Sequence, residues 1–173
     1  MIMIEKREDY PLHDSIRGWF GRELYFQMAK DKRIRLIVGD LGYKLFDQHR
    51  QDYPDRFLNT GAAEMSMMGI AVGMAQEGLK PFVYSITTFL LYRPFETIRN
   101  YVDHERAPVR LVGSGRDDSY KHDGFSHHCY DAPKVLELFP NIESLWPDTK
   151  EQIPDLVKQM VETDKPYFIS LPR

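Results

Sequence analysis

A three-layer α/β/α fold around a mostly parallel sheet of about six strands is what the hydrophobic pattern of this chain leads one to expect. Three short apolar, β-branched runs occupy residues 34–38, 82–86 and 109–112, each entered from charged or proline-containing sequence. Uninterrupted runs of this kind mark strands buried on both faces, as in parallel sheets. Stretches of helical periodicity separate them, and strands that alternate with helices pair in parallel through right-handed crossovers. No repeat, low-complexity tract or linker interrupts the 173 residues, so one domain is expected, spanning 1–173, with an N-terminal helix near 13–31 and a core near 33–171.

Taken in chain order, residues 15–30 read as a helix, because Ile16, Trp19, Phe20 and Leu24 recur at helical spacing and Asp14 or Ser15 stands where a cap is needed. The strand at 34–38 follows, then a weaker strand candidate at 57–59 and a helix at 63–76. After the strand at 82–86 comes a helix at 88–104, and after the strand at 109–112 a long, polar, unpatterned stretch at 114–130. A helix at 132–138, a weak strand at 141–145, a helix at 151–162 and a strand at 167–171 complete the order. Loops that leave the carboxyl ends of strands line the ligand crevice of an open α/β sheet, which singles out 114–130.

Composition excludes several functions. The net charge is -3 and no long run of like charges occurs, so nucleic acid and anionic membranes are poor partners. The apolar-leaning stretch at 79–91 is broken by Lys80, Pro81, Ser85, Thr87 and Thr88 and is not a membrane span. Cys129 is the single cysteine, and no signal-like apolar stretch opens the chain, so a reducing, cytoplasmic setting is expected. His122, His127, His128 and Cys129 fit no standard zinc spacing, and no metal site of the chain's own is expected. Met65, Met67, Met68 and Met74 read as packing residues of one helix, interleaved with Gly69, Ala71, Gly73 and Ala75, small enough to let another helix approach.

Asn59-Thr60-Gly61-Ala62-Ala63-Glu64 runs from a strand end through a glycine turn to a helix start, placing a carboxylate at the beginning of a helix. Alone, that carboxylate is a first-turn charge favouring the helix dipole. Its company changes the reading. Gly39-Asp40-Leu41-Gly42 precedes it, and Thr88-Phe89-Leu90-Leu91-Tyr92-Arg93 and Asp123-Gly124-Phe125-Ser126-His127 follow. In this order, over roughly residues 33–171, the chain resembles the pyrimidine-binding (PYR) domain of transketolases and deoxyxylulose phosphate synthases, and most of all the C-terminal half of split transketolases.

The resemblance implies the thiamine diphosphate-binding fold of PYR type and a transketolase-like transferase subunit that moves a two-carbon ketol or acyl unit. It implies that Glu64 hydrogen-bonds N1' of the aminopyrimidine, favouring the imino tautomer that takes the proton from thiazolium C2. Phe89 matches the aromatic residue that stacks on the pyrimidine, and Arg93 is a further cofactor-contact candidate. Asp123 and His127 match residues that reach substrate hydroxyls, with His127 also a proton carrier. His128 and Arg116 are additional substrate candidates.

No Gly-Asp-Gly is present to hold Mg²⁺ and diphosphate, the nearest string being Gly39-Asp40-Leu41, with Asp40 read as a structural or interface residue. The metal and diphosphate are therefore expected from a separate diphosphate-binding (PP) subunit in an α2β2 heterotetramer. With Arg173 directly after the last strand, the third domain of full transketolases is not expected. Leu145-Trp146-Pro147-Asp148 and Ser114-Gly115-Arg116 depart from the family's phosphate-binding pattern, leaving carbohydrate-like substrates, phosphorylated or not, open. A split 2-oxoacid decarboxylase subunit and a non-catalytic paralogue retaining the fold are the alternatives.

Overall fold

The computed structural model describes residues 10, 11 and 13–173; the absence of an opening signal-like stretch concerns residues 1–9, outside those described. Six strands form one sheet: β1 (Ile34–Val38), β2 (Phe57–Asn59), β3 (Lys80–Ile86), β4 (Arg110–Ser114), β5 (Glu143–Leu145) and β6 (Tyr167–Leu171). Their order is β2-β1-β3-β4-β6-β5 and every neighbouring pair is parallel. The expected α/β layering and all six expected strands are present.

Side chains alternate between the two faces, as the pleat requires. Ile37, Val83, Leu111 and Phe168 point into one apolar layer, shared with Met67, Met68 and Ala71 of helix α3 (Glu64–Gln76), Leu90 and Leu91 of helix α4 (Thr87–Tyr92) and Leu136 of helix α6 (Ala132–Leu136). Leu36, Phe82, Tyr84, Val112 and Ile169 point into the other, against Phe20, Leu24 and Met28 of helix α1 (Ile16–Lys30) and Val157 and Met160 of helix α7 (Ile153–Glu162). The Ser15 hydroxyl accepts from the Gly18 amide and caps α1.

Three details correct the sequence reading. The helix expected at 88–104 is broken, because Pro94 has no amide to donate and its ring excludes a continuous preceding turn. Helix α4 ends at Tyr92, and a short helix α5 (Phe95–Thr97) runs into a π-helical segment, Ile98–His104. A further helix, α2 (Asp47–Asp52), was not expected, since its residues are polar apart from the buried face of His49. On α3, Ala71 and Ala75 are core residues; the open stripe is Gly69 and Gly73, with nothing near an added Cβ at either, flanked by Met65 and Ile70.

The β4–α4 contact sets the height of the functional end of the sheet. A Cβ on Gly113 would lie 2.6 Å from Thr87 Oγ1 and 2.9 Å from Phe168 Cε2. The Thr87 hydroxyl in turn donates to Gly115 O at 2.6 Å, tying α4 to the exit of β4. Gly113→Ala is expected to lower stability by about 1–3 kcal/mol through overpacking, measured as a reduced urea midpoint.

Candidate functional site

The first turn of α3 is fixed from two strands. Asn59 Oδ1 accepts from the amides of Asp40 (3.0 Å) and Gly61 (2.9 Å), joining the exit of β1 to the β2–α3 turn. Gly61 has φ +68°, the left-handed conformation that suits glycine, and the chain turns there into α3. Asp40, also left-handed at φ 55°, accepts from the Tyr43 hydroxyl and serves this joint.

Glu64 opens α3 with its side chain only 1% exposed. Its Oε1 accepts from Ser85 Oγ on β3 at 2.9 Å. Gly39 leaves the room for this pair, since a Cβ there would stand 3.4 Å from Oε1 and 3.2 Å from the Ser85 hydroxyl. The other oxygen, Oε2, accepts from Arg93 Nη1 at 2.6 Å, a short charge-assisted bond. The same guanidinium lies over the Phe89 ring, with Cζ 3.8 Å from the centroid.

The long loop after β4 reaches this centre through two 3-10 turns, Lys121–Asp123 and Phe125–His127, with Gly124 at φ +89° between them. Thr88 Oγ1 donates to Ser126 O at 2.8 Å and clips the loop to the first turn of α4. His127 is thereby set beside Phe89, ring centroids 4.9 Å apart in an edge-on arrangement, with Ser126 Oγ 3.1 Å from Nδ1. Glu64, Arg93, Phe89 and His127 thus form one chain of contacts.

Other candidates lie apart from it. Asp123 is exposed at the end of the first 3-10 turn. His128 sits between Phe125 and Tyr130, ring centroids 6.1 and 6.2 Å away, with Nε2 3.4 Å from Lys121 O. Arg116, a substrate candidate from the sequence, has its guanidinium engaged by other groups of the chain. Its guanidinium donates to Ser170 Oγ, Asp148 Oδ1, Pro147 O and Ser170 O, so all three nitrogens are committed to fastening the exits of β5 and β6. Burial pushes the Cys129 thiol up to about 11, an inert packing sulfur. Among the described residues, no group of three His, Cys, Asp or Glu side chains is placed to hold a metal ion.

Sequence reasoning missed the recess next to this centre. A cavity of about 380 Å³ is lined by residues including Arg17, Lys44, Tyr84, Ser114 and Tyr120, and none of its lining residues is acidic. Arg17 Nη1 donates to the Tyr120 hydroxyl at 3.1 Å, and Tyr84 OH donates to Ser114 Oγ at 3.0 Å. Burial raises the Tyr84 phenol, which stays protonated as a donor. Tyr120 connects the recess to the centre, its ring centroid 6.3 Å from that of His127.

Residues 15–173 match the family described as transketolase, pyrimidine binding domain. The chain belongs to that family. This transketolase pyrimidine-binding domain is 26% identical over 163 residues to a putative transketolase C-terminal section of Methanocaldococcus jannaschii, covering 94% of this chain and 52% of the relative. It is 27% identical to one of the subunits of an apulose-4-phosphate transketolase of Phocaeicola vulgatus, covering 83% of this chain and 46% of that one. A 1-deoxy-D-xylulose-5-phosphate synthase of Clostridium botulinum is 31% identical over 92% of this chain, which spans 26% of that enzyme. Among solved structures, a split gene transketolase described as an inactive beta4 tetramer superposes with a TM-score of 0.80 at 26% identity, over 92% of this chain and 51% of that chain. The domain therefore spans about half the length of its transketolase relatives. No helix among the described residues is long and apolar enough to cross a membrane.

Proposed function

We propose that this domain is the pyrimidine-binding half of a thiamine diphosphate-dependent, transketolase-like transferase whose active site is completed by a separate diphosphate-binding subunit. The observation that carries this reading is the buried Glu64 carboxylate beside the face of Phe89, with the Arg93 guanidinium lying between them. A planar N–H donor that pairs with a carboxylate while stacking on an aromatic ring is what an aminopyrimidine is, so these residues fit the ring. When bound, thiamine diphosphate supplies the nucleophilic carbon for making and breaking bonds next to a carbonyl.

The protein's part is proton control and orientation. Glu64 holds a proton at the pyrimidine N1', and Ser85 fixes the carboxyl by bonding its other oxygen. Phe89 sets the ring plane. His127, held by the Thr88–Ser126 clip, is placed to pass protons to and from a substrate hydroxyl, with Asp123 on the same loop as a further contact. The recess beyond Tyr120 presents Arg17, Lys44 and a set of hydroxyls, a lining suited to a polyhydroxylated carbonyl compound with an acidic group. The Arg17 and Lys44 cations in that lining favour transfer of a two-carbon ketol unit over a split 2-oxoacid decarboxylase, which needs a smaller, more apolar acceptor pocket. The convergence of Glu64, Phe89 and His127 argues against a non-catalytic paralogue.

Two relatives, one described as a single subunit of its transketolase and one as a split gene transketolase, support a partner chain. In the proposed assembly, α2β2, that partner brings Mg²⁺ and holds the diphosphate. The single, buried Cys129 suits a reducing cytoplasm. By titration calorimetry, the chain alone is expected to bind thiamine diphosphate weakly and to turn nothing over, and Mg²⁺-dependent tight binding to appear only with a partner. Tight Mg²⁺-dependent binding by the isolated chain overturns the shared-site reading.

A further inference from the structure

We infer that Arg93 is an internal stand-in for the cofactor's aminopyrimidine, so that cofactor loading is an exchange in which the ring displaces the guanidinium from Glu64 and Phe89 together. The inference rests on the reading of Glu64 given above and adds a competitor for its seat.

Both polar ends of the Glu64 carboxyl are accounted for, with Ser85 Oγ on Oε1 at 2.9 Å and Arg93 Nη1 on Oε2 at 2.6 Å. The Glu64 side chain is 1% exposed, so an incoming donor meets Oε2 where Nη1 now stands. The face of Phe89 is covered by the same group, with Cζ at 3.8 Å from the centroid, which is stacking distance. One side chain therefore fills both halves of the ring's seat. The chemistry matches as well as the position. A guanidinium and an aminopyrimidine protonated on its ring nitrogen are both planar, delocalised amidine-type cations with in-plane N–H donors.

The hinge for the exchange is also present. Arg93 is 43% exposed, stands after the last residue of α4 and immediately before Pro94, and leads into the α4–α5 break. Its side chain can swing to water while Leu90 and Leu91 stay packed in the core. The exchange keeps the buried Glu64 paired before the cofactor arrives and reduces the apparent affinity for the cofactor by the free energy of that pairing.

The test uses the bare pyrimidine, 4-amino-5-hydroxymethyl-2-methylpyrimidine, titrated into the chain and followed by NMR with ¹⁵N-labelled arginine. In the wild-type chain the Arg93 Nε–H signal is expected to lose protection as the pyrimidine binds. Arg93→Met, which removes the guanidinium, is expected to bind the pyrimidine about tenfold more tightly or better, roughly 1.4 kcal/mol. Arg93→Lys, which keeps a charge for Glu64 but no flat group over Phe89, is expected to fall between the two. If Arg93→Met does not fold, the lysine variant and the wild-type arginine signal decide. Equal or weaker binding by the variants, or an Arg93 signal unchanged at saturation, overturns the exchange. Glu64→Gln separates the two ideas. Binding that depends on Glu64 but is not improved by removing Arg93 sinks the exchange alone, whereas no binding by the wild-type chain or any Arg93 variant sinks the Glu64 reading and the exchange with it.

Discussion

Glu64→Gln is expected to lower turnover of the assembled enzyme by about two orders of magnitude or more, the scale of losing a positioned proton-transfer group, while the chain still folds and binds its partner. The amide is nearly isosteric, and its geometry suits both neighbours. With Oε1 turned to Arg93 it accepts that hydrogen bond, and its NH₂ then meets the Ser85 hydroxyl, which can accept instead of donate. What it lacks is the ionisable acid that holds a proton at N1'. Exchange of the C2 proton of bound cofactor into deuterated water, followed by NMR, should slow in parallel, because that step precedes any substrate. A carboxylate that served only the helix dipole would behave otherwise. Its loss would cost about 0.3–1 kcal/mol of stability and leave C2 exchange near normal once the protein is folded. Wild-type exchange in the Gln variant removes Glu64 from the mechanism.

Acidification is expected to destabilise the fold through His49, with an effect comparable to the loss of a large core side chain. The imidazole of α2 is fully buried, ringed by Tyr10, Tyr25 and Phe46 with centroids 6.1, 5.4 and 5.2 Å away. Burial pushes its pKa down from 6.5 to about 3, against the opposing backbone hydrogen bond to Gly21 and the charge of Asp52. Between those two values the unfolded chain binds the extra proton and the folded chain does not. The stabilisation is therefore complete above pH 6.5 and is lost as the pH falls towards 3, at about 1.4 kcal/mol per pH unit, or roughly 2 kcal/mol by pH 5. Urea unfolding at pH 7 and pH 5 measures this directly. His49→Phe should remove about 2 kcal/mol of the difference between the two; an undiminished difference in the variant assigns the acid sensitivity elsewhere. Phe46 also packs on Tyr84, which lines the recess, at 4.9 Å between ring centroids.

The strands were legible because parallel strands buried on both faces must be apolar throughout, and the runs at β1, β3 and β4 announced themselves. Their ends were less so. Strand β3 begins at Lys80, a buried cation that donates to Val161 O and lies 3.2 Å from Asp31, and no local pattern foretells a lysine inside a core. Strand β4 extends to Gly113 and Ser114, which read as loop because small and polar residues carry no strand signal, although Gly113 is there for want of space. Helix α2 was invisible because one histidine makes no periodicity.

At the candidate site, Glu64, Phe89, Arg93 and His127 were accessible through motif order, and the structure brings the four into contact. Ser85, Ser114, Tyr120 and Arg17 were not, since each is a lone polar residue whose partner is far away in sequence, as with Arg17 and Tyr120, which are 103 positions apart. The one usable hint was a hydroxyl at the carboxyl end of an otherwise apolar strand. Arg116 shows the opposite case: a loop arginine beside a crevice carries the same sequence signal whether it faces a ligand or, as its guanidinium does here, Pro147 O after β5 and Ser170 O near the end of β6.

The strand order β2-β1-β3-β4-β6-β5 also dictates a timetable for synthesis. As the chain leaves the ribosome, β1 to β4 can assemble in turn, since each finds its neighbour among residues already made. Strand β5 cannot, because its sole partner in the sheet is β6, which is made later and lies between β4 and β5. Until residues 167–171 emerge, the edge of β4 and the whole of β5 stay unpaired, with Phe168 and Ile169 missing from both apolar layers at once. The nascent chain therefore waits with an open sheet edge and two incomplete cores, the condition in which chaperones bind and neighbouring chains aggregate. A chain truncated just before Tyr167 would hold that species for study.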